Sequence, residues 1–246
     1  MENSMIQKKC VLITGANKGI GYETARKLGA RGYRVLLGAR DPQRGAVAAE
    51  KLIAEGIDAN AVQLDVTDEN SVRTAAERIA ESEGKLDVLI NNAGISGSQR
   101  MTPEEQPLTD VAAIYETNVF GPVRVTQAFI PLLKKAGRAN VVMVSSGLGS
   151  LGWLSDPGNS YYKVNLLGYN SSKTALNAVT LSFAKHLAES GIKVNAADPG
   201  YTATEFNGYS GYRTVDQAAE SVIWLATIDG DSPTGGFFFD GEPVPW

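Results

Sequence analysis

The sequence predicts a single α/β domain: a doubly wound sheet of seven strands, mostly or wholly parallel, with helices on both faces. Short continuous apolar runs recur along the 246 residues, and nearly every one is followed by a longer segment whose apolar residues have helical spacing. A glycine-rich turn joins the first run to the first helix. Strands that alternate with helices of this length imply right-handed crossovers and parallel pairing.

The individual elements follow from the apolar pattern and its end signals. Cys10 to Thr14 is typical of a strand buried on both faces, and helical spacing runs from Gly19 to Gly32. The further strand candidates are Arg34 to Gly38, Ala59 to Leu64, Leu86 to Asn91, Val141 to Ser145, Ile192 to Ala196 and Phe237 to Phe239. The further helix candidates are Gln43 to Glu55, Glu69 to Glu83, Asp110 to Lys135, Tyr169 to Glu189 and Val215 to Thr227. With 43% hydrophobic residues, this length fits one domain over residues 1–246.

Two stretches, 147–168 and 199–213, do not have a regular pattern. Each follows a strand, and ligands of doubly wound sheets bind at the carboxyl ends of strands. Both stretches are rich in aromatic residues, so we expect them to wall an apolar substrate pocket, although any single ring could simply pin its loop. The residues assigned to this pocket are Leu148, Trp153, Tyr161, Tyr162, Tyr201 and Phe206.

The turn from Gly15 to Gly21 has the spacing Gly-x-x-x-Gly-x-Gly at a strand-to-helix junction. Glycines allow a close approach to a pyrophosphate, and the free amides at the helix start attract negative charge. The turn lacks the ending of a nucleoside triphosphate loop, which disfavours ATP hydrolysis. Arg40 stands at the end of the second strand where an acid would favour NAD, and Lys18 adds a second cation. We therefore expect NADP(H) in preference to NAD(H), although each cation taken singly could be a solvated surface charge.

Tyr169 and Lys173 are four residues apart on a predicted helix, so their side chains stand on one face, a turn apart. A nearby ammonium favours a phenolate and lowers the phenol's pKa, which would suit proton transfer to or from an oxygen. A lone pair of this kind is more often an ordinary surface contact. Its meaning depends on its surroundings.

Composition argues against several other classes of function. The formal net charge of −4, without a long basic block, gives no reason to expect a nucleic acid partner. Cys10 is the only cysteine, so we expect neither a disulfide nor a cysteine-based metal site. Met1 to Lys9 lacks the layout of a signal peptide, and no apolar run is long enough to span a bilayer. We expect a cytoplasmic protein without membrane contact.

Taken together, the motifs resemble the short-chain dehydrogenase/reductase family over nearly the whole chain, which implies a Rossmann-type catalytic domain. Asn118, Ser146, Tyr169 and Lys173 match its catalytic tetrad. The motifs similar to its cofactor-binding segments are Thr14 to Gly21, Leu64-Asp65-Val66, Asn91-Asn92-Ala93-Gly94 and Pro199 to Thr204. With Arg40 added, the implied cofactor residues are Gly15, Asn17, Lys18, Gly19, Ile20, Gly21, Arg40, Asp65, Val66, Asn92, Ala93, Gly94, Tyr169, Lys173, Pro199, Gly200, Thr202 and Thr204.

One departure from the family pattern concerns the serine. The gap between Ser146 and Tyr169 is longer than in many members, and the inserted segment resembles a shorter form of the one in the carbonyl reductase branch. Ser145 and Ser146 are both candidates. We choose Ser146 because the family serine is usually the second of such a pair.

The resemblance implies a role for each tetrad residue. Tyr169 would exchange a proton with the carbonyl oxygen while the nicotinamide supplies the hydride. Lys173 would hold the nicotinamide ribose and lower the tyrosine pKa, and Ser146 would orient the carbonyl. Asn118 would hold a water that links Lys173 to solvent. Taken singly, Ser146 could be a loop serine and Asn118 a residue that satisfies backbone groups at a helix kink.

The leading hypothesis is an NADPH-dependent carbonyl reductase that acts on a ketone or aldehyde with an apolar or aromatic body, a small-molecule substrate. The alternative from another class is a non-catalytic NADP-binding sensor or scaffold. A third possibility is an enzyme that reduces an imine or enone, or that works as an alcohol dehydrogenase. The sequence leaves monomer and homo-oligomer open.

Overall fold

The computed structural model describes residues 8–98 and 101–246, and strands and helices alternate in them as predicted. The expectation about Met1 to Lys9 lies outside the described residues except at its last two positions. The strands are β1 (Cys10–Thr14), β2 (Arg34–Ala39), β3 (Ala59–Gln63), β4 (Val88–Asn91), β5 (Ala139–Val144), β6 (Ile192–Asp198), β7 (Phe237–Phe239) and β8 (Glu242–Pro243). The helices are α1 (Gly19–Ala30), α2 (Pro42–Ala54), α3 (Glu69–Ser82), α4 (Leu108–Tyr115), α5 (Gly121–Lys135), α6 (Leu151–Ser155), α7 (Leu167–Leu187) and α8 (Val215–Thr227).

The strands form one sheet in the order β3-β2-β1-β4-β5-β6-β7-β8. All pairs from β3 to β7 are parallel, and β8 runs antiparallel to β7. The predicted number of seven strands is therefore one too few. Asp240 and Gly241, with φ of 48° and 86°, make a two-residue turn that folds Glu242 back onto Phe239. The strand order reverses between β1 and β4, which marks the ligand crevice at their carboxyl ends.

Both faces of the sheet are covered, because successive side chains of a strand point to opposite faces. Val11 and Ile13 of β1 pack into the core with Leu28 of α1, whereas Leu12 packs into the other core with Phe129 of α5. All five side chains are 0% exposed. Each such buried apolar side chain contributes roughly 1.5–3 kcal/mol. The ends of the central strands are thereby held as a rigid base for the site.

The helix predicted over Asp110 to Lys135 is two helices. The first begins earlier, at Leu108, and a π-helical turn over Glu116–Phe120 joins α4 to α5. Single π turns inside helices are frequently found at functional sites. Asn118 lies within this one. No helix of the described residues combines the length and the apolar character needed to cross a membrane.

The two stretches predicted to be irregular contain short helices. Ser150 and Asn159 cap two of them, because their side chains accept hydrogen bonds from Trp153 N and Tyr161 N. The short elements are 3-10 turns at Gly147–Gly149, Ser160–Lys163 and Glu205–Asn207, together with α6.

The C-terminal residues pack onto the first of these stretches. Ser150 Oγ donates a hydrogen bond to the Pro245 carbonyl, and Gly152 N donates to the Trp246 carbonyl at 2.9 Å. The Trp246 ring stacks on Phe237 of β7, with centroids 5.7 Å apart. The end of the chain therefore braces the segment that follows Ser146.

Candidate active site

Tyr169 and Lys173 lie on one face of α7, close to the carboxyl end of β5, as their spacing predicts. Lys173 is 5% exposed, and its Nζ donates a hydrogen bond of 2.8 Å to the Val144 carbonyl. The same Nζ lies 5.7 Å from the centroid of the Tyr169 ring. The half-buried phenol and the buried ammonium therefore share one small space at the end of the sheet.

The structure separates the two candidate serines. Ser145 is 2% exposed, and its Oγ donates a hydrogen bond of 2.6 Å to Asn177 Oδ1 on α7. Ser146 instead faces the Tyr169 phenol, and its hydroxyl lowers the phenol's pKa in opposition to burial. Ser146 is therefore the serine beside Tyr169, whereas Ser145 fastens the strand to the helix.

Asn118 is fully buried and clamps the backbone that follows β4. Its Oδ1 accepts a hydrogen bond from Ile95 N at 2.9 Å, and its Nδ2 donates to the Ile95 carbonyl at 2.9 Å and to Ser172 Oγ at 3.1 Å. Gly94 lies directly in front, because a Cβ there would stand 3.3 Å from Asn118 Oδ1 and 3.8 Å from Lys173 Nζ. Asn118 thus has the backbone-satisfying role, and its predicted hold on a water stays a prediction.

The predicted lowering of the Tyr169 pKa by Lys173 is wrong for the protein alone. Burial raises the pKa of Tyr169 well above its usual range, the Ser146 hydroxyl opposes this, and the Asp198 carboxylate adds to it. Lys173 is not among the groups that shift this pKa, and its ammonium donates a hydrogen bond to the Val144 carbonyl. The spacing of four residues brings Tyr169 and Lys173 together, but burial of the phenol makes its pKa rise instead of fall.

Lys173 is itself perturbed in the opposite direction. Burial lowers its pKa from 10.5 to about 8, and the Asp198 carboxylate partly restores it. Burial disfavours the charged form of a lysine, which explains the sign. Because this pKa is only slightly above neutral, most but not all Lys173 side chains are charged at neutral pH.

The glycine turn has the shape of a cradle for a pyrophosphate. Gly15 and Gly19 have φ of +64° and +59°, and a Cβ on Gly21 would lie 2.5 Å from Asn92 Nδ2. Asn92 Nδ2 donates to the Thr14 and Gly15 carbonyls at 2.8 and 3.2 Å, which fixes the turn. No side chain of the described residues caps the start of α1. Its first amides suit an anion.

The motif residues after β4 hold this turn. Ala93 N and Asn92 N each donate a hydrogen bond of 2.9 Å to Thr14 Oγ1. A Cβ on Gly15 would stand 3.0 Å from Ala93 Cα, so the two segments touch. The carboxyl ends of β1 and β4 are joined at the predicted crevice.

The corner expected to hold the ribose phosphate contains an exposed arginine and an acid that is otherwise engaged. Asp41 Oδ1 accepts hydrogen bonds from Gln43 N and Arg44 N and so caps α2. Arg40 is exposed and makes no ion pair with the described residues. Lys18 forms an ion pair of 2.8 Å with Glu205 across the crevice. A groove of about 520 Å³ adjoins this corner, lined by Asn17, Lys18, Tyr22, Gln43, Arg44, Val47, Ala48 and Lys51.

Asp65 and Val66 lie just beyond the end of β3. Asp65 Oδ1 accepts hydrogen bonds from Thr67 N and Thr67 Oγ1 at 3.0 and 2.7 Å. Val66 is 6% exposed, and its carbonyl accepts from Arg124. The segment is held in a defined turn beside the crevice.

The segment after β6 reaches back to the glycine turn. Thr202 is buried, and its hydroxyl donates to the carbonyls of Pro199 and Gly200 at 3.2 and 3.0 Å. The Thr204 methyl would lie 3.7 Å from a Cβ on Gly19. Thr202 therefore shapes its own loop, whereas Thr204 stands next to the phosphate cradle.

The aromatic residues assigned to a substrate pocket do not form one wall. Trp153 and Tyr161 stack with centroids 5.6 Å apart, and Phe206 contacts the Tyr169 ring at 5.8 Å. Tyr201 packs against Tyr212 and is 45% exposed. Tyr162 is 48% exposed, and Leu148 is half-buried beside Ser146, to whose Oγ its N donates at 3.2 Å. Leu148 and Phe206 thus adjoin Ser146 and Tyr169, and the Trp153–Tyr161 stack lies against Gly147, directly after Ser146.

Sequence reasoning missed one titratable residue of this site. Asp198 ends β6, is 2% exposed and acts electrostatically on both Tyr169 and Lys173. The signal was present as an acidic residue in an apolar strand directly before Pro199-Gly200. Acidic residues are rarely buried unless they have partners, so an aspartate at this position indicates a structural or functional role.

These features define a dinucleotide-binding α/β oxidoreductase. Residues 9–212 match the short chain dehydrogenase family. The chain is 35% identical over 243 residues to the short-chain dehydrogenase anuI of Penicillium roqueforti, covering 96% of each. It is 33% identical to a (+)-neomenthol dehydrogenase of Arabidopsis thaliana, covering 95% of this chain and 96% of that protein.

A solved structure supports the same placement. The NADPH-bound carbonyl reductase from chicken fatty liver superposes with a TM-score of 0.86 at 32% identity, covering 98% of this chain and all of that one. The chain belongs to the short-chain dehydrogenase/reductase family, and it is an oxidoreductase of that family.

Proposed function

We propose that this protein is an NADPH-dependent carbonyl reductase, which converts a ketone or aldehyde to an alcohol in a reversible reaction. The observation that carries the proposal is the convergence of Ser146, Tyr169 and Lys173 at the end of β5. A half-buried phenol, a hydroxyl beside it and a buried cation are groups that can protonate and orient a carbonyl oxygen.

Each residue has one task in this proposal. Tyr169 donates its proton to the carbonyl oxygen, and its high pKa keeps that proton in place until charge develops on the oxygen. Ser146 donates a hydrogen bond to the same oxygen and orients it. Lys173 binds the nicotinamide ribose with its ammonium. When bound, the nicotinamide supplies the hydride.

The phosphate cradle fits a dinucleotide, and the ribose corner favours NADPH. Only glycine fits at position 21, and the amides of α1 remain available to an anion. The Asp41 carboxylate is engaged in capping α2, whereas the exposed Arg40 at the end of β2 makes no ion pair with the described residues. Lys18 would exchange Glu205 for phosphate. The NADPH of the chicken carbonyl reductase supports the same choice.

The substrate is proposed to be a small carbonyl compound with an apolar or aromatic body. Phe206 stands against the Tyr169 ring, and Trp153 and Tyr161 stack near Ser146, so apolar surface adjoins the polar groups. The similarity to a neomenthol dehydrogenase agrees with a compact apolar alcohol or ketone. We place the enzyme in the cytoplasm, where the buried thiol of Cys10 stays reduced.

The test is consumption of NADPH across a panel of ketones and aldehydes. Tyr169→Phe is expected to keep NADPH affinity, measured by fluorescence, and to lose turnover by at least about 100-fold, since general acid catalysis contributes that much. Ser145→Ala is the matched control, because Ser145 faces α7, and it should retain turnover.

Two results would contradict the proposal. Substantial turnover by Tyr169→Phe would remove the tyrosine as the acid. Tight NADPH binding by the wild-type protein without turnover of any carbonyl, imine or enone would instead favour a non-catalytic sensor.

A further inference from the structure

The long segment after β6, residues 199–213, is closed at its base by Arg213. Ala203 N donates a hydrogen bond of 2.8 Å to the Arg213 carbonyl, and Arg213 N donates one of 3.1 Å to the Tyr201 carbonyl. The returning chain therefore pairs with Pro199 to Thr204, the cofactor segment, which the family resemblance assigns to the nicotinamide end of the cofactor. Through these two backbone hydrogen bonds, the position of Arg213 fixes that of the cofactor segment.

The side chain of Arg213 is held by an ion pair with Asp240. Its guanidinium donates two hydrogen bonds, of 2.6 and 2.8 Å, to the two carboxylate oxygens of Asp240, and a third, of 3.0 Å, to the Gln217 carbonyl on α8. A guanidinium that binds both oxygens of one carboxylate forms the strong and directional kind of ion pair. The hydrogen bonds from Arg213 lower the pKa of the Asp240 carboxyl, so both groups are charged at neutral pH.

The stem of Arg213 lies between an aromatic ring of β7 and a glycine of the cofactor segment. The guanidinium carbon stands 4.8 Å from the centroid of the Phe239 ring, and the Arg213 side chain is 13% exposed. A Cβ on Gly200 would stand 2.5 Å from Arg213 Cδ and 3.0 Å from Phe239 Cε2, and Gly200 has a φ of +71°. Glycine at position 200 therefore lets the cofactor segment lie directly on the arginine.

Asp240 is presented to the arginine by a left-handed backbone conformation. It is the first residue of the turn between β7 and β8, with a φ of +48°. Such a conformation is uncommon outside glycine and is kept where the surrounding structure supports it. Here the support comes from α8, because Ser221 Oγ donates a hydrogen bond to Asp240 Oδ1 and accepts one of 3.3 Å from Asp240 N. The turn and α8 together thus fix the carboxylate.

We propose that Arg213 is a positioning residue of the reductase: its ion pair with Asp240 is a clamp that holds the cofactor segment where it binds the nicotinamide half of NADPH. The inference rests on the proposed function, since it concerns the same cofactor site. It adds a task for the β7–β8 turn. Loss of the clamp should weaken the hold on the nicotinamide half and spare the adenosine half, which the glycine turn and Arg40 are proposed to bind.

The experiment compares the affinities of NADPH and of adenosine 2′,5′-bisphosphate for the wild-type protein and for Arg213→Met, by calorimetry. The bisphosphate has the adenosine half of NADPH and no nicotinamide. Methionine keeps an unbranched stem but removes the charge and the donors. NADPH affinity should fall about tenfold, the low end for a charge-assisted pair because the Asp240 side chain is 42% exposed. Affinity for the bisphosphate should change by less than about twofold, since its contacts lie at the other end of the cofactor.

A double-mutant cycle tests whether the two residues act as a pair. Asp240→Asn removes the charge, keeps one acceptor oxygen and tolerates a positive φ. It should weaken NADPH binding at least about threefold alone but less than about twofold in the Arg213→Met background, where the pair is already broken. Arg213→Lys keeps the charge without the paired hydrogen bonds, so it should also weaken NADPH binding, and it is the second variant should Arg213→Met fail to fold.

A further readout does not need the cofactor. Amide hydrogen exchange of residues 199–213 should be at least about threefold faster in Arg213→Met and in Asp240→Asn, because the clamp no longer opposes local opening of the segment. Exchange in β1 and β4 should stay at the wild-type rate, which separates release of this segment from a general loss of stability.

The matched control is Arg34→Met. Arg34 also forms a partly buried ion pair, with Asp58 and Glu83, but at the start of β2, at the opposite end of the sheet. It should leave both affinities and the exchange of residues 199–213 unchanged.

Four results would overturn the inference: unchanged NADPH affinity in Arg213→Met, an equal loss of bisphosphate affinity, additive effects in the cycle, or unchanged exchange of residues 199–213. Absence of turnover in the wild type would count against the proposed function alone, because the affinities and the exchange rates still test the clamp.

Discussion

Replacing Lys173 by methionine is expected to make the protein more stable while removing its proposed activity. Lys173 is 5% exposed, and among the described residues the Val144 carbonyl, at 2.8 Å, is the hydrogen-bond acceptor of its ammonium. Methionine has a similar length and does not carry a charge. The substitution therefore separates the cost of the buried charge from the packing of the stem.

The magnitude follows from the pKa of Lys173. A lowering from 10.5 to about 8 corresponds to about 3 kcal/mol at ~1.36 kcal/mol per pKa unit. Methionine leaves the Val144 carbonyl without its donor, which costs about 1–2 kcal/mol. The net expectation at pH 7 is a gain of about 1–2 kcal/mol in the free energy of unfolding.

The pH dependence has a definite sign. The folded-state pKa is depressed, so the unfolded chain binds the proton more tightly, and the penalty is complete below about pH 8. As the pH rises from about 8 to 10.5, the wild-type lysine loses its charge in both states and the penalty fades. The advantage of Lys173→Met should shrink over that range.

The assay is urea unfolding without cofactor at pH 7 and at a pH near 10, followed by circular dichroism. Lys185→Met, at an exposed lysine of the same helix, is the control, and it should change the free energy of unfolding by less than about 0.5 kcal/mol. A loss of more than 1 kcal/mol in Lys173→Met at pH 7, together with a difference that does not vary with pH, would refute the reasoning.

Three further substitutions test the cradle, the cofactor corner and the brace. Gly21→Ala should weaken NADPH binding at least about tenfold, measured by fluorescence titration, because the added Cβ would lie only 2.5 Å from Asn92 Nδ2 and push that amide away. Unchanged affinity would show that the turn can accommodate the methyl group. Arg40→Asp should lower the ratio of kcat/KM for NADPH over NADH by about 30-fold, equivalent to about 2 kcal/mol for a charge-assisted bond, and an unchanged ratio would remove Arg40 as the phosphate reader. Trp246→Ala should lower the free energy of unfolding by about 1–2 kcal/mol in urea, since it removes the stack on Phe237; equal stability would mean that the Trp246 ring does not help to fasten the C-terminal residues.

The sheet could be predicted from the sequence because it depends on strong local signals. Buried parallel strands are continuous apolar runs, so the sequence predicts β1 and β7 with the same bounds that the structure shows. The eighth strand has two residues, which are too few to show an alternation of apolar and polar side chains. The Asp240-Gly241 turn before it is the one local signal that indicates a hairpin.

Other features could not be predicted because the same sequence pattern is compatible with two backbone conformations. Helical spacing of apolar residues does not separate an α turn from the π turn at Glu116–Phe120, so a single helix was expected where Asn118 interrupts two. The long stretch after Ser146 is ordered by its own capping side chains and by the chain end. Contacts with residues almost a hundred positions away leave no local trace.

The electrostatics of the site show where sequence spacing stops being sufficient. A spacing of four residues on a helix puts Tyr169 and Lys173 a turn apart but says nothing about where the lysine nitrogen ends or how deeply the phenol is buried. Both depend on the loops that follow β5 and β6, and these loops meet at Asp198. An acidic residue in an apolar strand of a sequence therefore marks a position whose hydrogen-bond partners and ionisable neighbours have to be sought in the structure, because burial raises the pKa of Asp198 while the backbone amides of Gly200 and Gly147 lower it.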